Sequence, residues 1–491
     1  MRKILTTLAF VLALGIFAPV ALAANDISVT INDTPVVFTD QQPAIVDGRT
    51  LVPIRAVFEA LGFNVDWDAP TETATLMRGN YTIVISIGST TFTTNGVSYP
   101  LDVPAQIIGG STMLPIRAVL ESVGYEVDWD ASTNTVLIIP HPAYITIHGV
   151  EYSTTLTELD FYMPLTHEEF VSLRYMTNLT RLNMRANQIE DLTPLASLTN
   201  ISSLTLANSQ ISDITPLEGL TNLTWLHLYD SQISDITPLV SLTNLTGLRL
   251  VRSQIVDITP LAGMENLTYL NLTNNQIYDI APLAGMENLM ALNLWGNQVS
   301  DITPLVGLES LINLNLWGNQ VGDITPLAGL ENLTDLILDN NQISDITPLA
   351  NLTNLTRLRL SGNQISDVSP LTNLMSLTSL ELWGNYITDI TPLASLQNLT
   401  WLALGRNLIS DITPLNNLTY LTYLSLDNNL ISDITPLAGL KDLAGLYLQN
   451  NLFSDIAVLE GLTNFMRLEL YGNPISDWSP VAHVDYIIGR P

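Results

Sequence analysis

The 491 residues contain no cysteine. Disulfides, zinc–thiolate sites and cysteine catalysis are therefore excluded. Positive charge is scarce: 17 Lys and Arg stand against 47 Asp and Glu, a formal net charge of −30. So acidic a chain repels phosphate backbones, and no nucleic-acid partner is expected. The five His, at 141, 148, 167, 227 and 483, form no His-x-His pair and no His-Glu-x-x-His. With no Gly-x-Ser-x-Gly elbow or phosphate loop either, no metal, no other cofactor and no enzyme activity is expected. Beyond the first 23 residues no run of about 18 apolar residues occurs, so no later membrane span is expected. Apolar residues nevertheless make up 47% of the chain, ample for a packed core.

What is present is a period. An Asp recurs every 22 residues, fourteen times from Asp191 to Asp477, without insertion or deletion. A fixed period of this length marks a solenoid. One unit reads Leu330, Leu333, Leu336, Leu338, Asn341, Ile343, Ile346, Leu349. Leu336-Ile337-Leu338 alternates in, out, in, as a strand does. Asn341 stands where the chain must turn away, and its amide can satisfy backbone groups stranded in that turn. Asp345 reads as an N-cap, with Pro348 in the first turn of a short 3₁₀ or helical piece. No coil buries its own apolar side, so stacking makes the core. In three consecutive coils Ser209, Ser231 and Ser253 replace the turn Asn.

The chain begins differently. Met1-Arg2-Lys3, an apolar stretch to Val20 and Ala21-Leu22-Ala23 predict a secretory signal peptide over 1–23. Its removal would leave a net charge of about −32. Residues 26–140 hold a second kind of duplication, at an offset of 62. Leu51-Val52-Pro53-Ile54-Arg55-Ala56-Val57 recurs as Met113-Leu114-Pro115-Ile116-Arg117-Ala118-Val119, and Val65-Asp66-Trp67-Asp68 as Val127-Asp128-Trp129-Asp130. Each copy predicts an amphipathic helix stopped by Gly62 or Gly124, among strands and turns such as Asn95-Gly96. The fold class is thus an α+β module in two copies of a 62-residue unit, followed by a leucine-rich-repeat solenoid with a parallel concave β-sheet. Trp67 and Trp129 read as core or helix-packing residues rather than ligand platforms.

The paired Pro-x-Arg-Ala and Val-Asp-Trp-Asp segments resemble the copper amine oxidase N-terminal (stalk) domain of bacterial surface proteins. The resemblance carries no oxidase chemistry, because the modified-Tyr motif and the copper-ligating His set are missing. Residues 141–175 read as a linker and an irregular first repeat, in which Leu156, Leu159 and Phe161 begin the pattern. The repeats at 176–478 resemble the internalin type of bacterial leucine-rich repeat, and 479–491 reads as a C-terminal cap, with Trp478, Val481 and Tyr486 closing the core. Internalins are extracellular binding proteins, so the resemblance implies a secreted or cell-surface protein.

In each coil the residues before, between and after the two strand leucines point onto the concave sheet. Trp225, Tyr229, Tyr269, Trp295, Trp317, Arg357, Arg359, Trp383, Trp401, Tyr423, Tyr447 and Tyr471 occupy such positions. Exposed aromatics in a patch mark a recognition surface. The expected function is non-catalytic recognition of a macromolecule, a protein in the first reading. A cell-wall polymer or other glycan is the second, and an accessory role in a secreted enzyme system the third. The regular Asp series reads as structural, and the Asn-Leu-Thr tripeptides as by-products of the repeat.

Overall fold

The structure is a computed structural model that describes residues 27–185, 188–207, 210–484 and 487–488. The signal-peptide segment, Ser209 and Tyr486 lie outside these. The chain divides into two compact units, one ending at Pro142 and the next beginning at Ala143.

In the first unit the two predicted helices are present, Ile54–Ala60 and Ile116–Glu121. Each follows a Pro and ends just before its Gly, which has φ of +82° at Gly62 and +85° at Gly124. Such a backbone costs Gly little and other residues more. Leu61 and Val123, read as part of the helical face, fall just beyond the helices but are buried all the same. The Asn95-Gly96 turn has both φ positive, as a two-residue hairpin of type I′ requires.

The two copies are joined by a local twofold. Strand Arg49–Pro53 pairs antiparallel with Ser111–Pro115, in the register Pro53↔Met113, Val52↔Leu114 and Leu51↔Pro115. Since 114 is 52 shifted by the 62-residue offset, Val52 faces its own counterpart. A dyad therefore passes between Val52 and Leu114. The hairpins Ala44–Val46/Arg49–Pro53 and Gln106–Ile108/Ser111–Pro115 merge into one four-stranded sheet. Val57, Phe58, Val119 and Leu120 are fully buried in a core shared by the copies.

The second unit is the solenoid. Its sheet has sixteen strands in strict chain order, from Glu158–Phe161 to Ile487–Ile488. Neighbours pair in parallel, and equal repeat positions stack, as in Leu314↔Leu336↔Leu358. A single core of Leu and Ile runs its length. From Arg181–Met184 onward each strand but the last is followed by a 3₁₀ segment such as Thr347–Leu349. That segment opens later than the sequence suggests, with Ile346 rather than Asp345 in the cap position. Asp345 acts from one residue further out: its Oδ1 accepts the Thr347 N–H at 2.8 Å. All fourteen Asp of the series make this bond, at 2.8 to 2.9 Å.

The turn Asn binds successive coils together. Asn341 Nδ2 donates to Leu316 O of the preceding coil at 2.9 Å and to Leu338 O of its own at 3.1 Å. Its Oδ1 accepts the Val321 N–H of the preceding coil at 3.0 Å. The same contacts recur at Asn363 and Asn407. In the Ser coils, Ser231 Oγ and Ser253 Oγ instead meet each other at 3.0 Å. There the strands are five residues long, as in Trp225–Tyr229, against three in Asp335–Ile337. The Asn amide takes the strand-end carbonyl that a continuing ladder would use, and Ser is too short to do so.

The Asn-Leu-Thr tripeptides prove to be structural. Asn354 Nδ2 donates to Glu331 O at 2.9 Å, and Thr356 Oγ1 to Thr334 O at 3.1 Å, both in the preceding coil. The ends differ from the sequence reading too. Leu156 does not join the core but is 38% exposed, because no coil precedes it. The hairpin Tyr144–Ile147/Val150–Ser153 covers that end, burying Ile145 and Ile147. A capping box of Thr166 and Glu169 starts the helix His167–Ser172 beside it. At the other end Val481 is buried and Trp478 packs half-buried against the core. No helix among the described residues is long and apolar enough to cross a membrane.

Candidate concave recognition face

The strand leucines point inward, so the flanking residues form three columns on the concave sheet, one residue per coil in each. All twelve candidate residues fall in these columns. They gather into three groups.

In the first, Trp225 and Tyr269 lie two coils apart with ring centroids 5.5 Å apart. The residue paired between them is Gly247. A Cβ at Gly247 would overlap the Trp225 ring, so this glycine is what lets the indole lie along the sheet. The Arg249 guanidinium sits 4.7 Å from the Tyr269 centroid and 5.6 Å from that of Trp225. The Tyr229 ring lies 5.1 Å from His227, tilted by 32°. Burial, then the charges of Arg249 and Arg185, hold the His227 imidazole down at a pKa of about 4.

In the second, Trp295 and Trp317 stack face to face, 4.8 Å apart and 6° from parallel. Asn293 and Asn315 orient them, each accepting the Trp backbone N–H at 3.0 Å. Arg359 lies 5.7 Å from the Trp317 ring. It is tied to Asp339 at 2.8 Å and to Glu381 at 3.5 Å. Burial raises the pKa of both carboxyls, against the pull of Arg359. Arg357 is exposed and pairs with Asp335 at 3.2 Å. A shallow cavity of about 230 Å³ lies between Tyr269 and Asp335, floored by the small Ala291 and by Asn313.

In the third, Trp401 and Tyr423 stack at 3.5 Å and Tyr447 follows at 5.1 Å. Burial pushes the Tyr423 phenol up to about 12. Arg467 approaches Tyr447 at 5.5 Å and Arg406 approaches Trp383 at 4.7 Å. Trp383, Trp401 and Tyr471 are the most open of the rings, 37%, 39% and 43% exposed. Trp225, Tyr229, Tyr269, Trp295, Trp317, Arg359, Tyr423 and Tyr447 are half-buried by their neighbours.

Sequence reading named most of the rings but did not assign Arg249 or Arg406 to the face, nor the glycines beneath the rings. The signal was available. Gly247 and Gly405 stand in columns where other coils carry large side chains. A Cβ at Gly405 would overlap both Trp383 and Asp427. The face thus offers flat aromatic surfaces edged by guanidinium groups, with carboxylates held in ion pairs. Among the described residues no three His, Asp or Glu side chains are grouped so as to hold a metal ion.

Comparison with known proteins places both units. Residues 30–138 match the copper amine oxidase N-terminal domain. Leucine-rich repeats match at 177–219, 221–263, 265–307, 309–351, 353–395 and 397–439, together more than half of the chain. Curated proteins give no match. Among solved structures, an internalin, InlF from Listeria monocytogenes, is 41% identical, with 59% of this chain and 86% of that one covered and a TM-score of 0.58. A leucine-rich-repeat protein of Leptospira interrogans is 27% identical, with 66% and 86% covered and a TM-score of 0.61. The plant peptide hormone receptor RGFR1, solved in complex with RGF2, shares the fold at 22% identity, with 68% and 62% covered and a TM-score of 0.56. This chain belongs to the leucine-rich-repeat family, with repeats of the internalin type behind a copper amine oxidase N-terminal domain.

Proposed function

We propose that this is a secreted, non-catalytic recognition protein that binds a protein ligand on the concave face of its repeats. The observation that carries the reading is the aromatic series itself. Outward strand positions have no core to fill, yet rings recur there along the array, most of them seated over a small neighbour or beside an Arg. Buried aromatic and Arg anchors dominate protein interfaces. Paired charges of both signs beside Trp317 suit a protein better than an uncharged glycan. The receptor that shares this fold is itself seen with a peptide hormone. The predicted signal peptide supports an extracellular place of action.

The test is a crosslinking capture of ligands by the full chain, followed by affinity measurement. Trp383→Ala and Trp401→Ala should each weaken binding about thirtyfold, equivalent to about 2 kcal/mol. Glu331→Ala, on an exposed position away from the columns, should change little. If Glu331→Ala weakens binding and the two Trp changes do not, the concave face is not the site.

A further inference from the structure

The dyad of the first unit has a consequence at its surface. Each hairpin crosses to the other copy, so the unit carries two clefts, each built from both copies. The first cleft, of about 580 Å³, is lined by Arg55, Glu59, Asp66 and Trp67 of the first copy with Ile107 and Thr112 of the second. The second, of about 670 Å³, is lined by Arg117, Glu121, Asp128 and Trp129 of the second copy with Ile45 and Thr50 of the first. These six pairs are related by the 62-residue offset, and every pair is identical in type.

Elsewhere the copies have diverged, in the clefts at Arg49 against Ser111 and Thr39 against Leu101, and outside them at Asn64 against Glu126 and Glu72 against Asn134. Shared packing explains why core residues agree, but several of these six are not core. Ile45 and Ile107 are 57% and 50% exposed, an unfavourable place for an isoleucine unless something covers it. Arg55 and Glu59, like Arg117 and Glu121, face solvent as helical ion pairs of 3.5 and 4.0 Å. Exposed pairs of that kind contribute little to stability. Trp67 and Trp129 pack half-buried against the core and show their remaining surface to the clefts.

We infer that the twin clefts are two equivalent binding sites for one neutral, repeating glycan chain. Both volumes lie within the range of about 300 to 1,000 Å³ typical of small-ligand sites. Trp and Ile supply an apolar surface for the face of a sugar ring. Arg donates and Glu and Asp accept hydrogen bonds, the set that ring hydroxyls need. Asp40 and Asp102, also related by the offset, line the clefts as well, so the shared residues carry one Arg to three carboxylates and each cleft disfavours a polyanion. A ligand that repeats its chemistry can engage both sites and gain from effective concentration, which a single small molecule cannot.

The test uses the full chain and three soluble probes: N-acetylglucosamine tetramer, glucose tetramer and, as a charged control, galacturonic acid tetramer. Calorimetry should show a neutral tetramer binding at two sites per chain, and the galacturonic acid tetramer at least tenfold more weakly. Ile107→Ser, on the exposed hairpin of the second copy, should weaken only the first cleft. Its effect should therefore vanish in a Glu59→Gln background and persist in full alongside Glu121→Gln. Ile45→Ser should show the reverse pattern. The double variant Ile45→Ser/Ile107→Ser should lose at least tenfold at both sites with its thermal unfolding unchanged. The inference is overturned if neither neutral tetramer binds at millimolar concentration. Binding that survives the double variant, or that is lost in Trp383→Ala on the repeats, overturns it equally.

Discussion

The two units of this chain are both products of duplication, and they solved the resulting packing problem in opposite ways. In the first, two copies meet about a dyad at Val52 and Leu114 and close on each other. The shared sheet is complete once both copies have paired, with Gln106–Ile108 and Ala44–Val46 at its edges. In the solenoid each copy meets the next by translation, Leu336 on Leu358 and so on, so the core never closes. Such an array needs dedicated ends, here the hairpin Tyr144–Ser153 and the segment around Trp478. It also needs ladders between coils, because the same buried polar group recurs in every one. The lesson is that closure concentrates stability in a few shared residues, whereas translation spreads it over many equal bonds that can be broken one at a time.

Five changes would break or sharpen that contrast. The largest effect is expected from Asn363→Ala. It strands the buried Ile343 N–H and removes one of two donors from the carbonyls of Leu338 and Leu360, which Asn341 and Asn385 still serve. At about 1 to 3 kcal/mol for one unpaired buried group, the array should lose about that much in urea unfolding. The first unit should unfold as before; a joint shift of both would show that the units do not unfold separately. Next comes Trp317→Ala. Because its ring stacks on Trp295 and under Arg359, truncation should cost the array about 0.5 to 1.5 kcal/mol in addition to any loss of ligand affinity. An unchanged array transition would mean that the stack contributes nothing to folding.

Acid should then separate the units. Bonds from the Thr hydroxyl and N–H hold carboxyls such as Asp213, Asp345 and Asp411 below their ordinary value of 3.8. The unfolded chain takes up protons first, so this stability is present above about pH 4 and is lost as pH falls through the lower folded values. His227 adds an earlier step. Its unfolded pKa of 6.5 falls to about 4 on folding, so its share of stability is lost as pH drops from 6.5 to about 4. Stability curves of the array should slope downward in that window, and His227→Gln should flatten the slope; a slope unaffected by the change refutes the assignment. The smallest effects concern the Ser coils and salt. Ser253→Asn should stabilise the array by less than about 1 kcal/mol and slow hydrogen exchange nearby. Moderate salt should raise the array melting temperature slightly, by screening carboxylates about 4.8 Å apart along the stack. Exchange as slow at Ser231 as at Asn363, or a melting temperature indifferent to salt, would remove these two points.

The solenoid was legible because its information is one-dimensional. A 22-residue period fixes strand, turn and inward face at once, and Asn341 could be assigned its role from position alone. What escaped was whatever depends on a neighbour. Leu156 has the right spacing but no coil before it, so the pattern misplaced it in the core. The hairpin at 144–153 carries no trace of the repeat and was read as linker. The tripeptide Asn and Thr passed as by-products because their acceptors lie in the preceding coil, where sequence alone does not look. The concave columns were readable residue by residue, yet the rings' supports, Gly247, Gly405 and Arg249, are recognisable only once coils are stacked. The crossing of the first unit's hairpins was beyond reach altogether, since a repeat at an offset of 62 is equally compatible with side-by-side and exchanged copies.

The Asn-Leu-Thr ladder bears on how the protein can be produced. Each such tripeptide is also an acceptor sequence for N-linked glycosylation in a eukaryotic secretory pathway, and the atom that would be modified is Asn Nδ2. In this fold that nitrogen is already engaged: Asn222 gives it to Thr199 O, Asn266 to Thr243 O and Asn354 to Glu331 O, each at 2.9 Å. A sugar attached there during synthesis would wedge a bulky group against the preceding coil, at many points along the same edge. Material made in yeast or mammalian secretion would then differ from the bacterially expressed chain in coil spacing as well as in mass. The tripeptides that bind the coils together make the choice of host a structural variable.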